Sequence, residues 1–252
     1  MKYTQKIKSL FAGVLAATLL SVGVSNSSAI SIGDSGTANT GHGLWQSGQG
    51  GEFYIEPTSG PLTNASYSNL TRNQGVPGSF QTFCLEVRED LLTPVSYVVN
   101  DEAVAGGNNF PPSSAGNDGG DLLSRATSWL YSQFAQGLLA GYDYSNSVSR
   151  KASAHLLQDA IWFFEHEIIL TAAAQLANPY VVLGLANGGF ANAAPGQNGV
   201  YALNLDQSRT HSQDVLYFDD GRRVPDGGAS IMLLGVALGG LGIARRFLIK
   251  KS

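Results

Sequence analysis

One cysteine and one glutamine are the residues of this chain best suited to covalent chemistry. Cys84 is the single cysteine among 252 residues, so it has no partner for an internal disulfide. A thiolate is a strong nucleophile, and its attack on the side-chain amide carbonyl of Gln158, with loss of ammonia, would form a thioester. Such an acyl group survives only where water is excluded, which Phe83, Trp162 and Phe163 could achieve. Cys84 and Gln158 are therefore a candidate thioester crosslink.

A strand and a helix must position these two residues. Alternation over residues 79–88 predicts a strand in which Phe83 and Leu85 share one face and Cys84 lies on the other. Because Cys84 is not on the obvious core face, we expect it to meet a helix. The helix predicted from about residue 147 to 169 carries Gln158 on the flank of its main apolar stripe, where it can face a neighbouring strand.

Two short stretches resemble the thioester domains of bacterial surface adhesins. Phe83-Cys84-Leu85 is similar to the aromatic-Cys motif of those domains, and Leu157-Gln158-Asp159-Ala160-Ile161-Trp162 is similar to their Gln-x-Ala-apolar-Trp motif. The resemblance spans roughly residues 52–218 and implies a single-use reaction. An amine or hydroxyl on a host protein or polymer takes the acyl group from sulfur and becomes covalently attached at Gln158.

The same residues allow a second interpretation. Cys84 and Gln158 could simply pack where a strand crosses a helix, with the Gln158 amide hydrogen-bonded to backbone, as buried polar side chains usually are. The protein would then be a noncovalent structural or carbohydrate-binding matrix component. Its uncharged surface, rich in Asn, Ser, Gly and Tyr, would make many weak contacts to extracellular polysaccharide.

Other short motifs do not predict an enzyme, a cofactor or a metal site. Gly33-Asp34-Ser35-Gly36 is typical of the nucleophile segment of a serine hydrolase. In trypsin-like proteases the His and Asp precede the serine, and here only the predicted signal peptide does. In GDS-type esterases an Asp-x-x-His follows, and Asp206 and His211 have the wrong spacing. In Glu165-His166-Glu167, successive helix side chains point about 100° apart and cannot chelate one ion together. We expect that tripeptide to be a solvated helix edge.

The charge distribution disfavours nucleic-acid binding. Charged residues are only 13% of the chain, and the net charge is −4. Seven of the 15 basic residues lie in the two ends, so 8 remain in the middle against 19 acidic residues, a net charge of −11. A chain that binds nucleic acid through a basic face would show the opposite balance.

The N-terminus has the three parts of a secretory signal peptide. Lys2, Lys6 and Lys8 precede an apolar run over residues 10–24, and small residues lead up to Ala29. The run of about 15 apolar residues is shorter than the roughly 20 that span a bilayer. Residues 1–29 are therefore predicted to pass the general secretion machinery and to be removed by signal peptidase after Ala29.

The C-terminus predicts a second targeting signal, over residues 224–252. Val224, Pro225, Asp226, Gly227 and Gly228 form an accessible turn. An apolar, predicted transmembrane segment follows over residues 229–244. The cationic pair Arg245 and Arg246 then favours the cytoplasmic side of the inner membrane, which leaves the body of the protein outside.

This turn, span and cationic stop resemble the PEP-CTERM class of sorting signals in its VPDGG variant. The resemblance implies processing by exosortase, a membrane protease, in a Gram-negative-type bacterium. It also implies an inner-membrane-anchored precursor that is delivered to the cell surface or the exopolysaccharide matrix. The motif departs from the commonest Pro-Glu-Pro form of the class.

The exported body, residues 30–223, is predicted to be one α+β domain, a mixed β-sheet or sandwich with packed helices. Strands are expected over residues 52–55, 79–88, 95–100, 199–205 and 214–218. Helices are expected from an N-cap at Asp121 to Gly137, over the segment that contains Gln158, and from Thr171 to Ala177. Residues 30–51 are expected to be a loose lead-in, and residues 101–120 a surface loop.

Overall fold

The computed structural model describes residues 30–221, apart from residues 48–49, 65–75, 77, 88, 105–119, 146–147 and 208–209. These residues belong to one compact unit. The predicted signal peptide and the predicted transmembrane segment lie outside the described residues. Among the helices that are described, none is both long enough and apolar enough to cross a membrane.

Strands are the larger part of the fold. The eight strands described are β1 Ser35–Ser47, β2 Gly50–Pro57, β3 Phe80–Thr82, β4 Val95–Asn100, β5 Glu102–Ala103, β6 Asp121–Leu122, β7 Val200–Gln207 and β8 Thr210–Phe218. Six of them form one sheet in the order β3-β2-β1-β4-β7-β8, and β5 pairs with β6 in a separate ribbon. Every pairing between the described strands is antiparallel.

The six-stranded sheet closes on itself through the segment that follows β3. Leu216 N on β8 donates to the carbonyl oxygen of Phe83 at 3.2 Å, and Leu85 N donates to that of Asp214 at 2.9 Å. All six strands contribute to the apolar cluster that this closure encloses. Its strand residues are Ala38, Ile55, Phe80, Val95, Tyr97, Val99, Leu203, Leu205, Val215 and Tyr217.

The four described helices are α1 Arg125–Ala135, α2 Val148–Phe164, α3 Ala172–Ala177 and α4 Pro179–Ala186. Helices α1 and α2 pack on the sheet, α4 packs on both of them, and α3 contacts α4 and buries none of its own residues. Helices α1, α2 and α4 contribute to a second apolar cluster, in which Leu130, Phe134, Leu157 and Phe164 meet Phe83, Leu85 and Leu216. Burial of such side chains contributes roughly 1.5–3 kcal/mol each, so this contact holds α1 and α2 on the sheet.

Helix ends are set by local hydrogen bonds, and two of them differ from prediction. Helix α1 begins after Ser124, whose hydroxyl accepts from Thr127 N at 3.0 Å, whereas Asp121 lies in β6. Helix α2 ends at Phe164, because His166 takes a positive φ of 62°. The predicted helix up to Ala177 does begin after Thr171, which caps α3.

The α+β class is confirmed, while two finer predictions are wrong. The described sheet is antiparallel rather than mixed, and the segment after β3 bonds to β8 and closes it, so it is not one layer of a sandwich. The predicted loose lead-in contains β1, which lies between β2 and β4. Small residues are needed there because a Cβ on Gly36 would collide with the carbonyl oxygen of Ser59. The glycines of β1 allow neighbouring backbone to pack closely against the strand. In the sequence alone, the same glycines are typical of a loop.

Candidate functional site

The structure brings Cys84 and Gln158 together, as the sequence predicted. Cys84 N donates to Gln158 Oε1 at 3.1 Å, and Gln158 Nε2 donates to the carbonyl oxygen of Cys84 at 2.8 Å. Both residues are completely buried. The side-chain amide is thus held in one orientation against the backbone of the cysteine.

Closure of the sheet positions Cys84, and the packing of α2 positions Gln158. Cys84 forms an isolated antiparallel bridge with Val215 of β8, so its backbone is held between β3 and β8. Gln158 lies in α2, which packs on β1 and β2. A Cβ on Gly50 would lie 2.6 Å from Gln158 Cγ and 3.0 Å from Trp162 Cη2. A residue without a side chain is therefore required where β2 passes the site.

Aromatic side chains keep water away from the pair. Phe53, Cys84 and Trp162 form a buried cluster of their own. Burial raises the pKa of the Cys84 thiol well above its ordinary value, and the charge of Glu86 adds to that effect. The resting thiol is therefore protonated, and an acyl group on its sulfur would be sheltered from hydrolysis.

The hydrogen bond from Cys84 N also acts on the Gln158 carbonyl. A backbone N–H directed at a carbonyl oxygen stabilises the negative charge that develops there when a nucleophile attacks. The same geometry satisfies both polar groups of the amide, which is what a purely structural role requires. The arrangement is thus compatible with acyl transfer to sulfur and with a structural link between strand and helix.

A buried ion pair that sequence reasoning missed holds α2 against β2. Arg150 Nε lies 2.8 Å from Glu52 Oε1, and Arg150 Nη2 lies 2.9 Å from Glu52 Oε2. The Tyr142 hydroxyl also donates to Glu52 Oε1. Burial raises the pKa of Glu52, and the Arg150 guanidinium opposes that shift. The two residues are 98 positions apart, and no local pattern in the sequence pairs them.

The expected solvated edge at Glu165-His166-Glu167 is wrong. Because α2 ends at Phe164, Glu165 and Glu167 turn inward and are buried. Glu165 Oε1 accepts from Ser124 N at 3.1 Å, and Glu167 Oε2 accepts from Val87 N at 3.0 Å. Both carboxyl groups thus satisfy backbone donors. Within the described part of the chain, no group of three His, Cys, Asp or Glu side chains has the arrangement of a metal site.

Seven of the predicted site residues lie outside the described residues. They are the sorting residues Val224, Pro225, Asp226, Gly227, Gly228, Arg245 and Arg246.

Comparison with known proteins identifies this C-terminal segment. Residues 223–247 match the family model of the VPDSG-CTERM motif. The match supports the predicted sorting tail of the PEP-CTERM type, and with it an exported precursor that the membrane protease exosortase processes. No curated protein and no solved structure matches the chain.

Proposed function

We propose that this exported protein carries an internal Cys84–Gln158 thioester and uses it to attach covalently to a surface or matrix polymer. One observation carries the proposal: two hydrogen bonds hold the Gln158 carboxamide against Cys84 in a fully buried site. The aromatic neighbours Phe53 and Trp162 provide the dry surroundings that a thioester needs.

The proposed chemistry has two balanced steps. In the first, the bond between Cys84 sulfur and Gln158 Cδ forms, the bond from Cδ to nitrogen breaks, and ammonia leaves with the thiol proton. In the second, an amine or hydroxyl of the target bonds to Cδ, the bond to sulfur breaks, and the target's proton passes to the thiol. Each chain reacts once, so the protein is a covalent adhesive and not an enzyme.

The lysine content of the body favours this proposal. Lys151 is the only lysine between the predicted signal peptide and the sorting tail, and it is exposed at the start of α2. Few internal amines are therefore present to consume the thioester before a target arrives.

Intact-mass spectrometry of the protein recovered from the cell surface tests the thioester. The wild-type body should be lighter than its sequence by one ammonia, because that molecule is lost when the bond forms. Methylamine should add once to the wild type, at Gln158. The Cys84→Ala and Gln158→Ala variants should have their full masses and should not react. A wild-type protein that has its full mass and does not react with methylamine would refute the proposal.

A noncovalent matrix role is the second candidate, and one observation favours it. The main chain of Cys84 satisfies both polar groups of the Gln158 amide, and the buried thiol is protonated. In this case the pair links strand to helix, and the uncharged surface binds polysaccharide. This role would be supported if the wild type has its full mass and the Cys84→Ala variant binds purified exopolysaccharide as well as the wild type does.

We expect the cationic end of the sorting tail to control processing. Replacing Arg245 and Arg246 with glutamine removes two of the four positive charges that favour a cytoplasmic position for this end and leaves Lys250 and Lys251. The uncleaved precursor should therefore accumulate several-fold. Cell fractionation and immunoblotting with an antibody to the body measure this. Arg222→Gln, a charge change before the motif, is the control. Normal surface display of the double variant would contradict the expectation.

A further inference from the structure

The candidate thioester site is closed to a target in this structure. Cys84 and Gln158 have no exposed surface, so an amine or hydroxyl can reach the Gln158 carbonyl only after part of the surrounding structure opens. Residues 84–87 contain Cys84 itself and lie outside the named strands and helices. Local opening of such a segment costs less than opening of a strand or helix in the core. The contacts that hold residues 84–87 in place therefore control access to the site.

Two buried carboxyl groups join this segment to the rest of the fold. Glu167 Oε2, just after α2, accepts from Val87 N at 3.0 Å. Within the segment, Glu86 Oε2 accepts from Asp214 N of β8 at 2.9 Å. The other oxygen of Glu86, Oε1, is buried without a hydrogen-bond partner in the described part of the chain. An ionised oxygen buried in this way is strongly destabilising, so the closed segment requires a proton on Glu86.

A small cavity lies beside Glu86, where the segment meets the end of α2 and the β5–β6 ribbon. Its volume is about 10 Å³, which is about the space of one water-sized sphere. Three further carboxyl side chains line it, those of Asp121, Glu165 and Glu167. Among the described residues no basic side chain lines this cavity, and Arg88 lies outside them. The cavity wall thus collects acidic groups without an opposite charge from the described part of the chain.

The acidic groups in this region face one another from several elements. They come from the segment and the residues after it, from β5, β6 and β8, and from the residues after α2: Glu86, Glu89, Glu102, Asp121, Glu165, Glu167 and Asp214. We call these seven residues the acidic cluster. Carboxyl groups that share a buried site hold their protons to a higher pH than carboxyl groups in water do.

The pKa values of the acidic cluster agree with this expectation. Burial raises the pKa of Asp121 to about 8, and the charge of Glu165 adds to the shift. Burial also raises the pKa values of Glu165 and Asp214 to about 7, and it raises that of Glu86 well above the ordinary range. The closed structure therefore holds protons that the same groups would release near pH 4, at about their ordinary pKa values, in water.

We propose that protons held by the acidic cluster keep residues 84–87 closed, and that their loss opens the segment and exposes Cys84 and Gln158 to a target. When the acidic cluster is ionised, Glu86 Oε1 lies unsatisfied among charges of the same sign, and water solvates it better outside the fold. Glu86 is two residues from Cys84, so its exit displaces the site. The inference rests on the proposed function for the reaction that opening permits, which is attachment to the target.

Opening releases protons, so it becomes more favourable as the pH rises. The effect begins at about pH 4, where the carboxyl groups of the opened segment ionise. It ends once the pH exceeds the pKa values of the closed state, about 7 for Glu165 and Asp214 and about 8 for Asp121. The closed state is therefore most stable in acid, and attachment should be faster in a mildly alkaline than in a mildly acidic medium.

Methylamine addition to the purified full chain in detergent, followed by intact mass, measures opening at Gln158. The wild-type rate is divided by the Glu86→Gln rate at each pH, which cancels the protonation of methylamine. Because the variant amide stays neutral, this ratio should rise at least about tenfold between about pH 5 and about pH 8, since a pKa difference of one changes the opening equilibrium tenfold. The ratio to Asp121→Asn should also rise. Asp206→Asn, which changes an exposed acid on β7, should behave like the wild type.

The direct effect of the Glu86 charge on the reaction has the opposite sign. Burial raises the pKa of the Cys84 thiol, and the charge of Glu86 raises it further. A thiol of higher pKa is a poorer leaving group, so this effect would slow the wild type relative to Glu86→Gln. A wild type that becomes relatively faster as the pH rises therefore reports opening of the segment.

Hydrogen exchange tests the opening without the thioester. In a Cys84→Ala background, exchange of the backbone amides of residues 84–87 is measured with and without Glu86→Gln at each pH. The ratio of the two rates cancels the intrinsic pH dependence of exchange. It should rise with pH as the methylamine ratio does, because both depend on the same local opening.

The two measurements separate this inference from the proposed function. Ratios that do not change with pH in both measurements would overturn the inference, as would occur if the guanidinium of Arg88 neutralised the acidic cluster. If the wild type still reacted with methylamine in that case, the thioester would stand without the proton-controlled opening. A wild type at full mass with a pH-dependent exchange ratio would refute the thioester and confirm the opening.

Discussion

Arg150→Met is expected to lower the free energy of unfolding by about 3–5 kcal/mol, because removing one partner leaves the other charge buried. Glu52 has no exposed surface, and two of its hydrogen bonds come from this guanidinium. The same group donates to Gln81 Oε1 at 2.9 Å and to the carbonyl oxygen of Tyr144 at 2.8 Å. It also stacks 3.7 Å from the centroid of the Trp45 ring.

Denaturant unfolding followed by tryptophan fluorescence measures this loss. Arg150→Lys is the matched control: it keeps the charge but not the two parallel hydrogen bonds, so its loss should be intermediate. The double variant Glu52→Gln, Arg150→Met should recover part of the stability, since a neutral amide is less costly to bury than a carboxylate. A loss below about 1 kcal/mol in Arg150→Met, the range of surface ion pairs, would contradict the expectation.

Acidification should reduce the effect of Arg150→Met. Without the guanidinium, burial raises the pKa of the Glu52 carboxyl further, and only the weaker effects of the hydrogen bonds with Tyr142 and Gln81 oppose it. The folded variant then holds this proton more tightly than the unfolded chain, so its stability is greatest at acid pH and falls as the pH rises between the two pKa values. The difference from the wild type should therefore be smaller at acid than at neutral pH.

Gln158→Leu is expected to lower the free energy of unfolding by about 2–6 kcal/mol, because it leaves one buried donor and one buried acceptor without a partner, at about 1–3 kcal/mol each. Both belong to the main chain of residue 84. The comparison is made in a Cys84→Ala background, which cannot form a thioester but keeps these backbone groups. Denaturant unfolding again provides the measurement.

Gln158→Glu in the same background is the matched control, because a protonated carboxyl can make both hydrogen bonds of the amide. Once ionised, it has no proton to donate to the carbonyl oxygen of residue 84, and burial raises its pKa. Its stability should approach that of the parent at acid pH and decline as the pH rises through the folded-state pKa. A Gln158→Leu variant as stable as its parent, or a pH-independent Gln158→Glu, would show that the two hydrogen bonds contribute little.

Features set by neighbouring residues were predictable from the sequence. The alternation around Cys84 and the apolar stripe around Gln158 predicted that these two residues would meet, and they do. The strand predicted over residues 79–88 is shorter than expected: β3 ends at Thr82, and Cys84 lies beyond it in an isolated bridge with Val215. Strand β4 has the predicted bounds, Val95–Asn100. The sorting tail is a linear motif, so its match at residues 223–247 required no knowledge of the fold.

Only the tertiary structure decided the surroundings of the site. In the sequence, the glycines of β1 are typical of a loop. In the structure, the carbonyl oxygen of Ser59 lies so close to Gly36 that a side chain cannot fit there. The sequence predicts that Glu165 is a solvated helix residue. In the structure α2 ends before it, and its carboxylate accepts a hydrogen bond from Ser124 N. Periodicity and capping act over a few residues, whereas the Glu52–Arg150 pair and the closure of β3 on β8 join segments far apart in the chain. Such contacts depend on which distant segments become neighbours in the fold, and local sequence patterns do not contain that information.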